Sequence, residues 1–277
     1  MKLKNISSTV LDFYKKLPFN VYENKELAIY NIKNNNVLSY YKPLEKILKT
    51  KKIKSIIDIG CGGGWFLNSL ANKLGDKFSY HGVDFNQIAI NHGQEISKKM
   101  GLNVTYEKQD LFKLDESKKY DLIVSLGVLH HTKDTIKALL KILKLGKKKS
   151  YLFIGLYHKF GRKPFLDFVK NLSGMSEDEK FLEYKKLHKL KDKKHLYSWF
   201  RDQVLHPHET QHTYKEISEI LNKNNYKVIS TSINNFEKIT NENTIIESEK
   251  RLYQVGLKRL SEKKYYPGFF IILAENI

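Results

Sequence analysis

The chain of 277 residues has one cysteine, five prolines, two tryptophans and only four arginines among its 49 basic residues. A single thiol, Cys61, excludes an intramolecular disulfide and fits a reducing compartment. It also supplies no set of thiolates for a cysteine-ligated cluster. No apolar run approaches the roughly 18 residues that a membrane span requires. Lys, Asn, Ser and Asp interrupt the N-terminal stretch where a signal peptide would carry its apolar core. These absences predict a cytoplasmic protein. The shortage of arginine bears on the net charge of +19. Residues 133–200 carry 18 Lys+Arg against 7 Asp+Glu. Specific phosphate and base contacts favour the planar guanidinium. The basic zone therefore reads first as a solvated face, and second as a footprint for RNA or an anionic membrane surface.

What the sequence does have is a dense glycine loop. Residues 53–64 run Ile-Lys-Ser-Ile-Ile-Asp-Ile-Gly-Cys-Gly-Gly-Gly, a β-branched strand delivering Asp58 into the loop. Glycine is required where a backbone takes positive φ or approaches a ligand closely. A Walker A loop would continue Lys-Ser/Thr, but Trp65-Phe66 follows here. A dinucleotide site spaces its glycines to seat a pyrophosphate, and Asp58 would repel one. A carboxylate at the strand end suits a cationic ligand. S-adenosylmethionine has a cationic amino-acid end and no phosphate.

Further motifs follow in order. Tyr80-His81-Gly82-Val83-Asp84-Phe85 ends a second strand on an acid, and a third strand leads to Asp110-Leu111. A fourth, Tyr120-Asp121-Leu122-Ile123-Val124-Ser125, runs into Leu126-Gly127-Val128-Leu129-His130-His131. Over roughly residues 50–160 this series resembles the class I S-adenosylmethionine-dependent methyltransferases, and in its turn the ubiquinone and sugar O-methyltransferase type. The resemblance implies that Asp58, Gly60 and Gly62 hold the methionine part of the cofactor. It implies that Asp84 grips the ribose and that Asp110 lies near the adenine amine. Cys61, Gly64, Phe85, Leu111 and Ser125 complete the expected cofactor site. The product would be S-adenosylhomocysteine.

The organisation agrees with such an enzyme. Residues 1–50 read as a helical lid, with Phe13, Tyr14 and Tyr22 as candidate walls or as ordinary core. Residues 51–277 read as one Rossmann-like α/β domain: a seven-stranded, mostly parallel sheet with helices on both faces and the last strand antiparallel. Strands are expected near 53–59, 79–83, 103–107, 120–125, 150–157, 226–233 and 268–274. A helix over 134–145 should end on Gly146 as its C-cap, and a capping box, Thr213 to Glu216, should open a helix over 213–224. Insertions at 158–212 and about 235–266, after the fifth and sixth strands, are where acceptor specificity should lie.

Within the first insertion, His208-Glu209-Thr210-Gln211-His212 matches a zinc-protease string, but that motif works only on a helix. Pro207 and the start of the helix at Thr213 place it in a loop, where His206, His208, Glu209 and His212 read as a divalent-metal site, a polar acceptor pocket or structural bonding at the helix entrance; no metal is assigned. The expected acceptor pocket comprises Trp199, Arg201, Asp202, His206, His212 and His158. A hydroxyl acceptor needs a general base, and the candidates are His130, His131 and His208. The reading is an S-adenosylmethionine-dependent methyltransferase acting on a small-molecule or lipid-like acceptor, most naturally at a hydroxyl. A tRNA-modifying methyltransferase is the alternative enzyme, and a non-catalytic S-adenosylmethionine-binding protein the alternative of another class. Oligomeric state is not assigned.

Overall fold

The computed structural model describes residues 3–20, 22, 24–190 and 192–277. Seven strands form one sheet: β1 Ser55–Ile59, β2 Ser79–Asp84, β3 Val104–Lys108, β4 Tyr120–Leu126, β5 Gly146–Tyr157, β6 Tyr226–Thr231 and β7 Phe269–Asn276. Their order is β3-β2-β1-β4-β5-β7-β6, with β7 antiparallel to both neighbours. The chain reverses its direction of winding between β1 and β4, and in open α/β sheets ligands lie outside the carboxyl ends of the strands at such a point.

Burial on both faces explains the nearly continuous apolar strands. On one face Ile57, Ile123 and Leu152 pack under α6 (Thr135–Leu143) and α10 (Tyr214–Lys223). On the other, Ile56, Leu122 and Phe153 meet α3 (Lys42–Thr50), α4 (Trp65–Leu74) and α5 (Gln87–Lys99). The first insertion forms α7 (Lys159–Asn171), α8 (Glu177–Lys185) and α9 (Lys193–Phe200), with a core of its own around Phe165, Tyr184 and Phe200. The second forms α11 (Glu242–Ser248) and α12 (Arg251–Ser261). The N-terminal segment contributes α1 (Leu3–Lys16) and α2 (Lys25–Asn34).

Two local expectations need correction. Gly146 does not cap α6, which ends at Leu143 with Lys144 as its C-cap. It begins β5 instead, where a Cβ would lie 2.0 Å from Tyr226 Oη. Close approach of a side chain, not a left-handed turn, accounts for glycine there. At α10 only half of the capping box forms. Thr213 accepts from the Glu216 N–H, but the Glu216 carboxylate turns to His212 Nδ1 at 3.0 Å.

Candidate active site

A cavity of about 440 Å³ opens at the carboxyl ends of β1, β2 and β4. Its floor is the glycine loop. Gly60, Gly62 and Gly64 all take positive φ, and a Cβ on Gly62 would enter open space. The loop therefore leaves a cradle that any side chain at Gly62 would fill.

Two carboxylates face this cradle. Asp58 is buried, and no hydrogen bond reaches its carboxylate among the described residues. Burial, reinforced by the neighbouring charge of Asp84, pushes its pKa up to about 7. A carboxyl so placed is waiting for a cation. Asp84 accepts from the Gly62 N–H at 3.0 Å and the Asn86 N–H at 2.8 Å, which fixes its orientation and leaves lone pairs toward the cavity. Burial raises its pKa, and these backbone donors oppose the rise. Asp110 caps a short turn through the Phe112 N–H and lines the cavity beside Leu111. An unpaired buried acid, an open glycine cradle and a second anchored acid fit a ligand with a cationic end and hydroxyls. That is the chemistry of S-adenosylmethionine.

Cys61 and Phe85 also line the cavity. Ser125 and Gly64 do not. The Ser125 hydroxyl donates to the Ile59 carbonyl at 2.9 Å and ties β4 to β1. Gly64 instead starts α4, with Tyr106 against it.

The opposite wall holds Trp199 and Asp202 of the expected acceptor pocket and His131 of the candidate bases. Residues 206–213 run extended beside the end of β5, with the His212 N–H donating to the Tyr157 carbonyl and the Thr210 N–H to that of His130. This pairing turns the histidines of the loop into structural bonds and removes them from the cavity. His208 Nε2 lies 3.1 Å from the Thr132 carbonyl oxygen. His212 binds Glu216 and Thr210. His158 is fully buried: its Nδ1 caps α7 and its Nε2 contacts Glu249 Oε2 at 2.7 Å. His206 stacks behind His131 with ring centroids 3.8 Å apart. Glu209 forms a bidentate pair with Arg162. Among the described residues no cluster of His, Cys, Asp or Glu is arranged to hold a metal ion.

His130 is likewise turned away, its Nδ1 accepting from the Tyr157 N–H and its ring stacked on that residue. His131 differs. Its Nδ1 lies 2.9 Å from the His208 carbonyl oxygen, so Nδ1 carries the hydrogen. Nε2 is left as the lone-pair nitrogen, buried and without a partner among the described residues. Burial also lowers its pKa, which keeps the ring neutral near pH 7.

α1 closes the cavity. The Tyr14 hydroxyl donates to Asp202 Oδ1 at 2.5 Å, and the Asn86 amide donates to the Tyr14 carbonyl at 3.0 Å. Arg201 lies outside the lining. It fastens α1 through the Phe13 carbonyl and stacks on the Phe13 ring. Of the three aromatics expected as walls only Tyr14 lines the cavity, while Tyr22 packs on His195. Tyr14→Phe should therefore cost about 1–2 kcal/mol of stability, read as a lower urea midpoint, with earlier proteolysis within α1. An unchanged midpoint would mean that the Asp202 contact does not hold the helix.

Tyr157, Gln203, Tyr265 and Phe269 complete the wall and were not anticipated. The signal existed for two of them. Tyr157 ends β5 at the edge where ligands bind, and Phe269 opens an antiparallel last strand whose beginning lies at that same edge.

Comparison with known proteins agrees with this geometry. A family model described as a methyltransferase domain matches residues 50–204, more than half of the chain. The chain is 30% identical over 128 residues to a ubiquinone biosynthesis O-methyltransferase of Pelagibacter ubique, covering 46% of this chain and 49% of that protein. A protein of the same description from Rickettsia conorii is 29% identical over 89 residues, covering 32% and 30%. The chain thus spans half or less of the length of these curated relatives. Among solved structures, magnesium protoporphyrin IX methyltransferase from Synechocystis PCC 6803 with bound SAH superposes with a TM-score of 0.56 at 15% identity, covering 98% of this chain and all of that one. PKMT2 from Rickettsia typhi gives a TM-score of 0.61 at 21% identity, covering 85% and 52%. With its sheet order, glycine cradle and paired carboxylates in place, the chain belongs to the methyltransferase-domain family.

Proposed function

We propose that this protein transfers the methyl group of S-adenosylmethionine to a hydroxyl of an uncharged, largely apolar small molecule. The observation that carries the reading is the fixed tautomer of His131. With its Nδ1 hydrogen committed to the His208 carbonyl, the ring keeps an unprotonated, unpartnered Nε2 in a residue that lines the cavity. That nitrogen is covered in the ligand-free protein; a small shift of the ring would offer it to a donor in the cavity, and an acceptor hydroxyl is such a donor.

The lining supports the acceptor class. Among the described residues it contains Asp58, Asp84, Asp110 and Asp202, no lysine or arginine, and many apolar and aromatic side chains. A negative lining with no described lysine or arginine opposes an anionic acceptor, which favours the small-molecule reading over a phosphate-bearing RNA. The described lysines and arginine of 133–200 lie outside this lining.

The chemistry supplied by the cofactor is a methyl group on a sulfonium, with a neutral thioether left behind. Asp58 would hold its ammonium end, Asp84 its ribose hydroxyls, and Asp110 would face the adenine. His131 Nε2 takes the proton of the acceptor hydroxyl, while the wall formed by Trp199, Tyr265 and Phe269 excludes water.

Transfer of label from S-adenosylmethionine into the components of a cell extract tests the reading. Label should enter a small-molecule fraction, and His131→Ala should lower turnover roughly 10²–10⁴-fold while leaving the affinity for S-adenosylhomocysteine unchanged. With saturating cofactor, the acid limb of kcat should fall below pH 6.5, because the base must be unprotonated and burial lowers its pKa from 6.5. Label confined to RNA, or full turnover by His131→Ala, would overturn it.

A further inference from the structure

Arg162 is completely buried at the start of α7 and does not itself line the cavity, but it contacts three residues that do: Gln203, Pro267 and Tyr157. Its Nη1 approaches the Gln203 side-chain amide at 2.8 Å. A guanidinium only donates, so the amide atom it meets is the oxygen. The amide NH₂ is thereby turned the other way, to Asp202 Oδ2 at 2.6 Å and Tyr157 Oη at 2.7 Å. The carboxylate of Asp202 requires the same orientation, since it accepts. Both ends of the relay agree on which way the amide points.

The consequence falls on Tyr157. Its oxygen accepts from Gln203, so its own hydrogen must point elsewhere. That accepted bond is the only one at Tyr157 Oη among the described residues. Tyr157 lines the cavity, beside His131. The Arg162 guanidinium also lies 3.9 Å from the centre of the Tyr157 ring. A cation over the ring draws charge from the phenol and strengthens its O–H as a donor, while burial keeps the phenol protonated.

We propose that the Tyr157 O–H is a hydrogen-bond donor reserved for the acceptor's oxygen, and that Arg162 aims it through Gln203. This rests on the reading of that wall as the acceptor end. As the acceptor hydroxyl gives its proton to His131 Nε2, negative charge grows on the oxygen, and a preset donor stabilises it. Tyr157 keeps its own proton throughout. Gln203 and Arg162 are positioning residues, because they reach the acceptor only through Tyr157.

The test uses p-nitrophenol as a probe, with the full chain saturated by S-adenosylhomocysteine. Its phenolate absorbs visible light, so its apparent pKa when bound can be titrated directly. Tyr157→Phe should raise that pKa by about one unit, a tenfold loss of bound phenolate at a given pH. Gln203→Glu places a carboxylate opposite Tyr157, which would draw the phenol hydrogen out of the cavity and give the same rise. The double variant should show no further rise. S-adenosylhomocysteine affinity within twofold of wild type certifies folding, and Tyr157→Phe alone decides if Gln203→Glu does not meet that standard. An unaltered pKa in Tyr157→Phe, or two effects that add, would overturn this inference alone. Failure of the wild-type complex to bind the probe would overturn the acceptor reading and this inference with it.

Discussion

Asp58→Asn should stabilise the ligand-free protein at pH 8 and, at the same time, weaken S-adenosylmethionine binding by about 10- to 100-fold. Burial raises the Asp58 pKa from 3.8 to about 7 in the folded chain. Between those values the folded protein holds a proton that the unfolded chain has released. Stability from this group is therefore fully present below about pH 4 and is lost as pH rises through 7. Above pH 7 a bare carboxylate stays buried with Asp84 as its charged neighbour, at a cost on the order of a few kcal/mol. Asparagine removes that charge but also the counter-ion for a cationic ligand. The melting temperature of the free protein should rise by a few degrees at pH 8 and by clearly less at pH 5, where Asp58 is neutral in the folded chain and only part of the loss has accrued. Thermal denaturation at both pH values, with calorimetric titration of cofactor, checks both halves. Wild-type affinity in the variant would remove Asp58 from the cofactor site. An equal thermal shift at both pH values would show that charge is not the cause.

The second large effect is expected from Gly268→Ala. Gly268 has φ +66°, and a Cβ there would lie 2.2 Å from the Arg162 backbone nitrogen and 2.2 Å from the Gly161 carbonyl carbon. Neither atom can swing aside as a side-chain end can. The left-handed conformation costs alanine about 1–2 kcal/mol, and the overlap adds a further ~1–3 kcal/mol. The first turn of α7 would have to shift, straining the His158 N–H bond to the Gly268 carbonyl at 2.7 Å. A loss of several kcal/mol in urea unfolding is expected. Gly62→Ala is the contrasting case. It also has positive φ, but its Cβ meets nothing within 4 Å. It should lose only about 1–2 kcal/mol of stability while filling the cradle and impairing cofactor binding. Equal destabilisation by the two would contradict the packing at Gly268.

Much of the fold was legible because its signals are local. A β-branched run ending in an acid and glycines marks β1, and alternation with amphipathic segments marks the rest of the sheet. Misjudged positions were those where a distant residue decides. Gly146 resembles a helix cap until Tyr226, 80 positions on, is seen to occupy the space of its Cβ. The histidines at 158, 208 and 212 have the right chemistry for an acceptor site. Backbone pairing of the 206–213 segment with β5 and the turn after β4 takes up His208 and His212, while Glu249 and the start of α7 take up His158, and no property of either segment alone reveals those partners. His131 stands apart from His130 for the same kind of reason: the His208 carbonyl fixes which nitrogen bears its hydrogen. Tyr14 and Gln203 enter the wall through contacts spanning 188 and 46 residues.

The bonds of α1 have a kinetic consequence. The helix is fastened to the first insertion by Asp202 and Arg201 and to the loop after β2 by Asn86, which follows Asp84 by two residues. One element thus bolts both halves of the cavity together. If release requires α1 to swing away, departure of the demethylated cofactor and of the methylated product becomes one mechanical event. The cycle would then run at the frequency with which a short helix lets go, which makes solvent viscosity, more than acceptor reactivity, the variable that governs its speed.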